Sequence, residues 1–314
     1  MAWTKTYSGD EPLRINKWLA LEGVCSRREA DSLIEQGLVK VDGEKAISGQ
    51  KIETGQTLDL AQKASRRLDN QLSILFHKPI GIVSGTPEGD EIPAVRLISG
   101  DSLSGKSHAI PGRYNKLAPL GRLDKDSRGL LIMSEDGVLA KAVIGPESQL
   151  DKEYLVKVKG EVTADKLGKL RHGLELDGRQ LKPAIVEQVK QQELKFILNE
   201  GRNRQIRRMC QLVELHVVDL MRVRVGPLEL AGLPEGKWRP ISGREREALL
   251  KADAPRPRKP RPDRPDRPAR PERSDRPDRP ALTGPANRPV GLIARMHGLA
   301  ESLVRHPERK RSPR

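Results

Sequence analysis

The chain has 314 residues, a net charge of +15, 32% charged residues and 36% hydrophobic ones, enough length for two domains and a tail with a core that needs no staples. Two cysteines far apart, Cys25 and Cys210, exclude a disulfide framework and lack metal-ligand spacing. No run approaches the roughly 20 apolar residues of a membrane span, and "MAWTKTYSGDEPLRINKW" has no signal-peptide core, so a cytoplasmic protein with polyanionic partners is expected.

Residues 12–60 read as a small α/β module. In "LRINKWLALEG", Leu13, Ile15, Trp18 and Leu19 recur at helical intervals, and Gly23 can end that helix. Ser26 opens a capping box, with Glu29 three residues on, for a second helix that buries Ala30, Leu33 and Ile34 and stops near Gly37. "LVKVDGEKA" predicts a hairpin turning at Asp42-Gly43, and "TGQTLDL" a closing strand. Arg14, Lys17, Arg27 and Arg28, with Ser26, crowd the two helix starts and could offer one face to a phosphate backbone; solvated surface arginines are the alternative. "RINKWLALEGVCSRREADSLIEQGLVKVDGE" resembles the S4 RNA-binding domain along nearly its whole length. That resemblance implies binding of structured RNA through these positions.

Residues 61–71, "AQKASRRLDNQ", read as a polar linker. From 72 to 250, strand-like runs ("LSILFHK", "LLIMS", "EYLVKVKG", "LKFILNE", "HVVDLMRVRV") alternate with helix-like ones ("GVLAKAVI", "TADKLGKLRHGL", "RQIRRMCQLVEL"). The mixture predicts an α+β domain on one mixed or antiparallel sheet. Residues 85–118, rich in Gly, Ser and Pro, read as an extended loop, and the chain has neither GxGxxG nor a P-loop. From Lys251 the chain carries 18 Lys+Arg against 8 Asp+Glu and 13 of its 24 prolines. A three-residue R-(P/S)-(D/E/A) period there predicts a disordered basic tail, with a short helix near "VGLIARMHGLAESLVRH".

Three segments carry the chemistry. In "LGRLDKDSRGLLIM", Gly121 and Gly129 bracket a sharp loop that puts Asp124 beside Arg122, which would keep an aspartate ionised as a nucleophile or base. A salt-bridged turn, or a cation site of Asp124, Asp126 and Asp136, are rival readings. "NEGRNRQIRRMCQLVE" packs Arg202, Arg204, Arg207 and Arg208 with Asn203 at a helix start, a density that repels itself unless carboxylate or phosphate lies between. Arg204 and Arg208, at i and i+4, share a face that excludes Arg207. In "LDKEYLVKV", Tyr154 begins a strand between Lys152 and Lys157, either as a platform for a stacked base or as a core residue.

In this order after an S4 module, "GRLDKDSRGLLIMSEDG", "KEYLVKVKG" and "GRNRQIRRM" resemble the RsuA branch of the RNA pseudouridine synthases from about residue 12 to residue 245. The resemblance implies conversion of a specific uridine to pseudouridine, most closely as in enzymes of the large-subunit (23S) rRNA. It makes Asp124 the catalytic carboxylate, Arg207 the base that orients it and Tyr154 the aromatic on the flipped uracil. Arg122 then lies near the opened stack, and Arg202, Asn203, Arg204 and Arg208 contact RNA. No cofactor or metal is implied, and a monomer is expected. The alternatives are the same chemistry on tRNA or 16S rRNA, and a non-catalytic RNA-binding or ribosome-assembly factor.

Overall fold

The computed structural model describes residues 3–112 and 115–253. Of the tail expected from Lys251, residues 251 and 252 belong to the helix Gly243–Ala252, and residues from 254 onward, with the expected terminal helix, lie outside the described residues.

The N-terminal module is built as its sequence dictates. Helix α1 (Ile15–Leu21) buries Ile15, Trp18 and Leu19, and α2 (Arg27–Glu35) buries Ala30, Leu33 and Ile34. Both halves of the capping box are present: the Glu29 N–H donates to Ser26 Oγ (3.3 Å) and the Ser26 N–H to Glu29 Oε2 (2.6 Å). Asp42 and Gly43 both take positive φ (49° and 87°) at the hairpin turn, as a type I′ turn requires.

Two features depart from the sequence reading. Thr4–Thr6 adds an outer strand to Thr57–Leu60, so the four-stranded sheet begins before residue 12. The stretch expected to be a linker is largely helix α3 (Gln62–Asp69), whose Ala64 is buried in the module's core. One small buried side chain among polar neighbours leaves almost no apolar periodicity to read.

The remainder folds on a mixed nine-stranded sheet with the path Ile185–Lys190, Glu193–Leu198, Lys152–Lys159, His216–Val225, Arg128–Ser134, Ser73–Lys78 and Trp238–Pro240, and with Leu228–Glu229 and Ala118–Leu120 paired off that path. His216–Val225 and Arg128–Ser134 run parallel, with Arg222 paired to Gly129, while the other strand pairs of this path are antiparallel. Around it pack α4 (Gly137–Ile144), α5 (Ala164–Arg171), α6 (Gln205–Leu212) and α7 (Gly243–Ala252). Among the described residues no helix is long and apolar enough to cross a membrane.

The module meets this sheet at the start of α4. Glu29 accepts the Gly137 N–H (3.4 Å) and the Gln71 amide. A Cβ on Gly137 would stand 2.4 Å from Ser26 Cβ and Oγ.

Gly129 fixes the loop that precedes its strand. Its φ is +111°, and an added Cβ would lie 2.3 Å from the Arg222 carbonyl oxygen and 2.6 Å from the Arg222 nitrogen. Because the obstruction is backbone, relaxation cannot relieve it. Gly129→Ala is expected to cost about 3 kcal/mol or more, read as a lower urea midpoint; an unchanged midpoint would refute the close approach.

Candidate active site

Asp124 sits between Gly121 (φ +86°) and Gly129, on a segment whose carbonyls from Arg122 to Asp126 all accept hydrogen bonds. Ser84, only 4% exposed, donates its hydroxyl to the Leu123 carbonyl (2.7 Å) and accepts the Leu123 N–H (2.9 Å). The Ser127 N–H closes a turn on the Asp124 carbonyl (3.0 Å), and the Gly81 N–H reaches the Lys125 carbonyl (2.7 Å). Arg207 Nη2 donates to the Asp126 carbonyl (2.7 Å). Arg222, 2% exposed, donates from Nε to the Leu130 carbonyl (2.8 Å) and from Nη1 to the Arg122 carbonyl (3.5 Å). The loop is held from every side, and the Asp124 side chain remains 34% exposed.

Ser84 and Gly81 belong to the long connection between Lys78 and Ala118. Both precede the stretch 85–118 that composition suggested was an extended loop. That stretch has a 3-10 turn at Ala94–Leu97 and is anchored by Ala94, Ile98 and Leu117, buried in one cluster with Trp238.

The arginine cluster is arranged differently from its helical spacing. Arg204 caps α6 in a left-handed conformation (φ +48°), outside the helical period. From there its guanidinium pairs with both Asp126 oxygens (3.0 and 2.7 Å) and comes within 3.5 Å of Asp124 Oδ2. The Asp124 cation is thus Arg204, and neither Arg122 nor Arg207 makes that ion pair. Arg207 Nε lies 3.3 Å from Asp126 Oδ2, so Arg204 and Arg207 converge while Arg208 turns away to grip Asp177 (2.9 and 2.6 Å). Arg202 is occupied by the carbonyls of Leu176 (2.9 Å) and Gln180 (3.1 Å). The Arg204 hydrogen bonds hold the Asp126 carboxyl below its ordinary range.

Other expected residues divide. Arg14, Lys17, Arg27 and Arg28 are exposed on the N-terminal module. Ser26 is instead the cap of α2, pressed against Gly137. Asp136 does not join Asp124 and Asp126: it caps α4 and binds Arg246 (2.6 Å). No group of three His, Cys, Asp or Glu side chains suited to a metal occurs among the described residues.

A cavity of about 670 Å³ opens over this loop, within the size range of ligand pockets. Asp124, Tyr154 and Arg207 line it with Arg122, Asn203, Arg204, Leu220 and Arg222. Tyr154 is half-buried and packs against two core clusters while lining the cavity. Ser84, Leu220 and Arg222 escaped the sequence reading. A serine in a Gly/Ser-rich stretch carries no signal, and an arginine inside a strand is ordinarily taken to face water.

A model of the RNA pseudouridylate synthase family matches residues 72–212, and one of the S4 domain matches residues 13–58. Over 244 residues the chain is 32% identical to the dual-specificity RNA pseudouridine synthase RluF of Escherichia coli K12, covering 77% of this chain and 80% of that one. The chain belongs to the RNA pseudouridine synthase family. A second synthase, the ribosomal large subunit pseudouridine synthase B of Bacillus subtilis, is 32% identical over 75% of this chain and 95% of its own. A crystal structure of a pseudouridylate synthase superposes with a TM-score of 0.52 at 26% identity, covering 76% of this chain and 99% of that one. The synthase thus acts on RNA through an S4 module and a catalytic domain.

Beside the Asp124 loop Lys78 is fully buried, donating to the Pro79 (2.8 Å) and Ile82 (2.6 Å) carbonyls. Burial pushes its pKa down from 10.5 to about 8, against the pull of Asp124 and Asp126. Below about pH 8 the ammonium is charged in folded and unfolded chains alike and its burial cost is felt in full. Between about 8 and 10.5 the folded protein has released a proton that the unfolded chain keeps, so stability owed to this residue rises with pH. Urea midpoints of wild type and Lys78→Met should shift in favour of wild type between about pH 7 and about pH 9.5; a pH-independent gap would contradict the burial account.

Ser84→Ala orphans two backbone groups, at about 1–3 kcal/mol each when buried, and frees one edge of the Asp124 segment. The synthase is expected to lose kcat while KM for RNA changes little, with Ser84→Thr recovering part of the rate. A rise in KM at constant kcat would show that Ser84 serves binding instead.

Proposed function

We propose that this synthase isomerises a specific uridine of 23S rRNA, with Asp124 as the catalytic carboxylate. The observation that carries the reading is the partly exposed Asp124 side chain on a loop held through its carbonyls, in one cavity with Tyr154, Leu220 and the Arg204–Arg207 pair. Large-subunit rRNA is favoured by the name of the Bacillus subtilis relative.

In the reaction the N1–C1′ bond of uridine breaks, the uracil rotates and a C5–C1′ bond forms, the proton at C5 being lost and one gained at N1. Net redox change is nil. The target must first leave its stack, at a cost of a few kcal/mol. Stacking on Tyr154, worth about 1–3 kcal/mol, together with Arg122 and the basic face of Arg14, Lys17, Arg27 and Arg28, offsets that cost. Asp124 then attacks C1′ or C6, or removes a sugar proton to give a glycal. All three routes need a carboxylate fixed to within about 1 Å of the reacting atom.

Arg204 orients the carboxylate directly. Arg207 acts through the Asp126 carbonyl and is a positioning residue. Arg202 and Arg208 brace the hairpin at 175–180, which leaves Asn203 as the polar group of this turn free to face RNA.

Asp124→Asn is expected to abolish pseudouridine formation in unmodified 23S rRNA while leaving RNA affinity within about threefold, measured by primer extension after carbodiimide treatment and by filter binding. Turnover by this variant would end the assignment. Arg207→Ala should reduce kcat at least about tenfold more than it weakens binding; collapse of affinity with normal turnover of bound RNA would make Arg207 a phosphate contact. Modification of tRNA or 16S rRNA in place of 23S rRNA would redirect the substrate. Failure of wild type on all three would favour an assembly factor.

A further inference from the structure

The cavity is electrostatically lopsided. Of the guanidiniums that line it, Arg204 and Arg207 are matched to Asp126 and Arg202 to carbonyls. Lys152 and Arg222 line it too, and among the described residues neither has a carboxylate within 4 Å. Strand register explains their placement. Lys152 and Tyr154 are two apart on one strand and so share a face, and Arg222 lies directly across from Tyr154 on the neighbouring strand. Tyr154 is thus flanked by two cations on the cavity floor.

Both cations are expensive where they are. Arg222 is buried, its Nη2 has no hydrogen-bond partner, and its other donors meet only carbonyls. Lys152 Nζ has a single protein acceptor, the Leu150 carbonyl at 3.1 Å. Burial and then Arg222 push the Lys152 pKa down, opposed by Asp151 and Asp253. Two cations in a partly dry wall repel each other unless an anion compensates them. Ser148 and Gln149 also line the cavity, and they already donate to the Ala142 (2.7 Å) and Glu147 (3.0 Å) carbonyls. A second negative group in the cavity is repelled by the Asp124 carboxylate and attracted by Lys152 and Arg222.

We propose that Lys152 and Arg222 form a subsite for a backbone phosphodiester of the everted nucleotide, with Lys152 as the direct contact and Arg222 supplying charge from beneath. The proposal rests on reading this cavity as the uridine site. It assigns the pair a function separate from chemistry: it fixes the sugar–phosphate while the base detaches and rotates against Tyr154.

The test titrates the full-length protein, by NMR or calorimetry, with uridine, uridine 3′-monophosphate, uridine 5′-monophosphate and inorganic phosphate. At least one nucleotide should bind about tenfold or more tighter than uridine, the gain expected of a charge-assisted contact. Lys152→Gln, a half-buried position whose loss leaves the core intact, should erase that advantage and leave uridine binding unchanged. Arg222→Lys should keep most of it. The subsite is overturned if nucleotides bind no tighter than uridine, if none of the probes binds, if Lys152→Gln keeps the advantage, or if inorganic phosphate binds as tightly as the nucleotides. Pseudouridine formation by wild type, scored separately on rRNA, distinguishes the two levels. Activity without phosphate dependence removes only the subsite; phosphate dependence without activity removes only the catalytic reading.

Discussion

The constraint on which the molecule depends is the immobilisation of six residues, Arg122 to Ser127. Loops that carry function are ordinarily the most mobile parts of a fold, yet a reacting carboxylate tolerates little displacement. The synthase resolves this by occupying the loop's backbone groups from independent elements: Ser84 and Gly81 from the long connection, Arg207 from α6, and Arg222 from the central strand. Gly129 lets that strand come close enough for the last contact. On that held backbone the Asp124 side chain stays partly exposed and lines the cavity.

The same arrangement accounts for basic groups in an interior that should reject them. A tight turn aims its carbonyl oxygens at whatever packs against it, and those oxygens must find donors. Lys78, Arg207 and Arg222 meet that need, and the carbonyl dipoles in return solvate part of their charge. Arg204 adds the single close cation at Asp124, while Asp126 takes up most of the cluster's charge. Carboxylates neutralise Arg204 and Arg207, and Lys152 and Arg222 are left on the cavity wall without a carboxylate within 4 Å among the described residues.

What could be read from the sequence was whatever is encoded locally. The Ser26–Glu29 capping box, the Asp42-Gly43 turn and the apolar strand after Gly129 are short patterns with local causes, and each has its expected structure. Asp124, Tyr154 and Arg207 line one cavity, as the three motifs suggested. The partner of Asp124 was not legible, because helical spacing does not apply to a left-handed cap. That single backbone angle at Arg204 reverses which arginines converge. Helix α3 and the Thr4–Thr6 strand were missed because one buries a lone alanine and the other is wholly exposed. Ser84 and Arg222 were illegible for another reason: their contacts cross 39 and about 100 residues of chain, and only the long-range pairing of Arg128–Ser134 with Ser73–Lys78 and with His216–Val225 brings them to the loop.

Amide hydrogen exchange tests the bracing of this loop most directly. The N–H groups of Gly81, Leu123 and Ser127, all outside regular strands, should exchange as slowly as those of Leu131 and Ile132 in the central sheet. Exchange of these three at the rate of exposed turns would mean that the aspartate rides on a mobile segment, and would contradict the bracing as the cause of its fixed presentation.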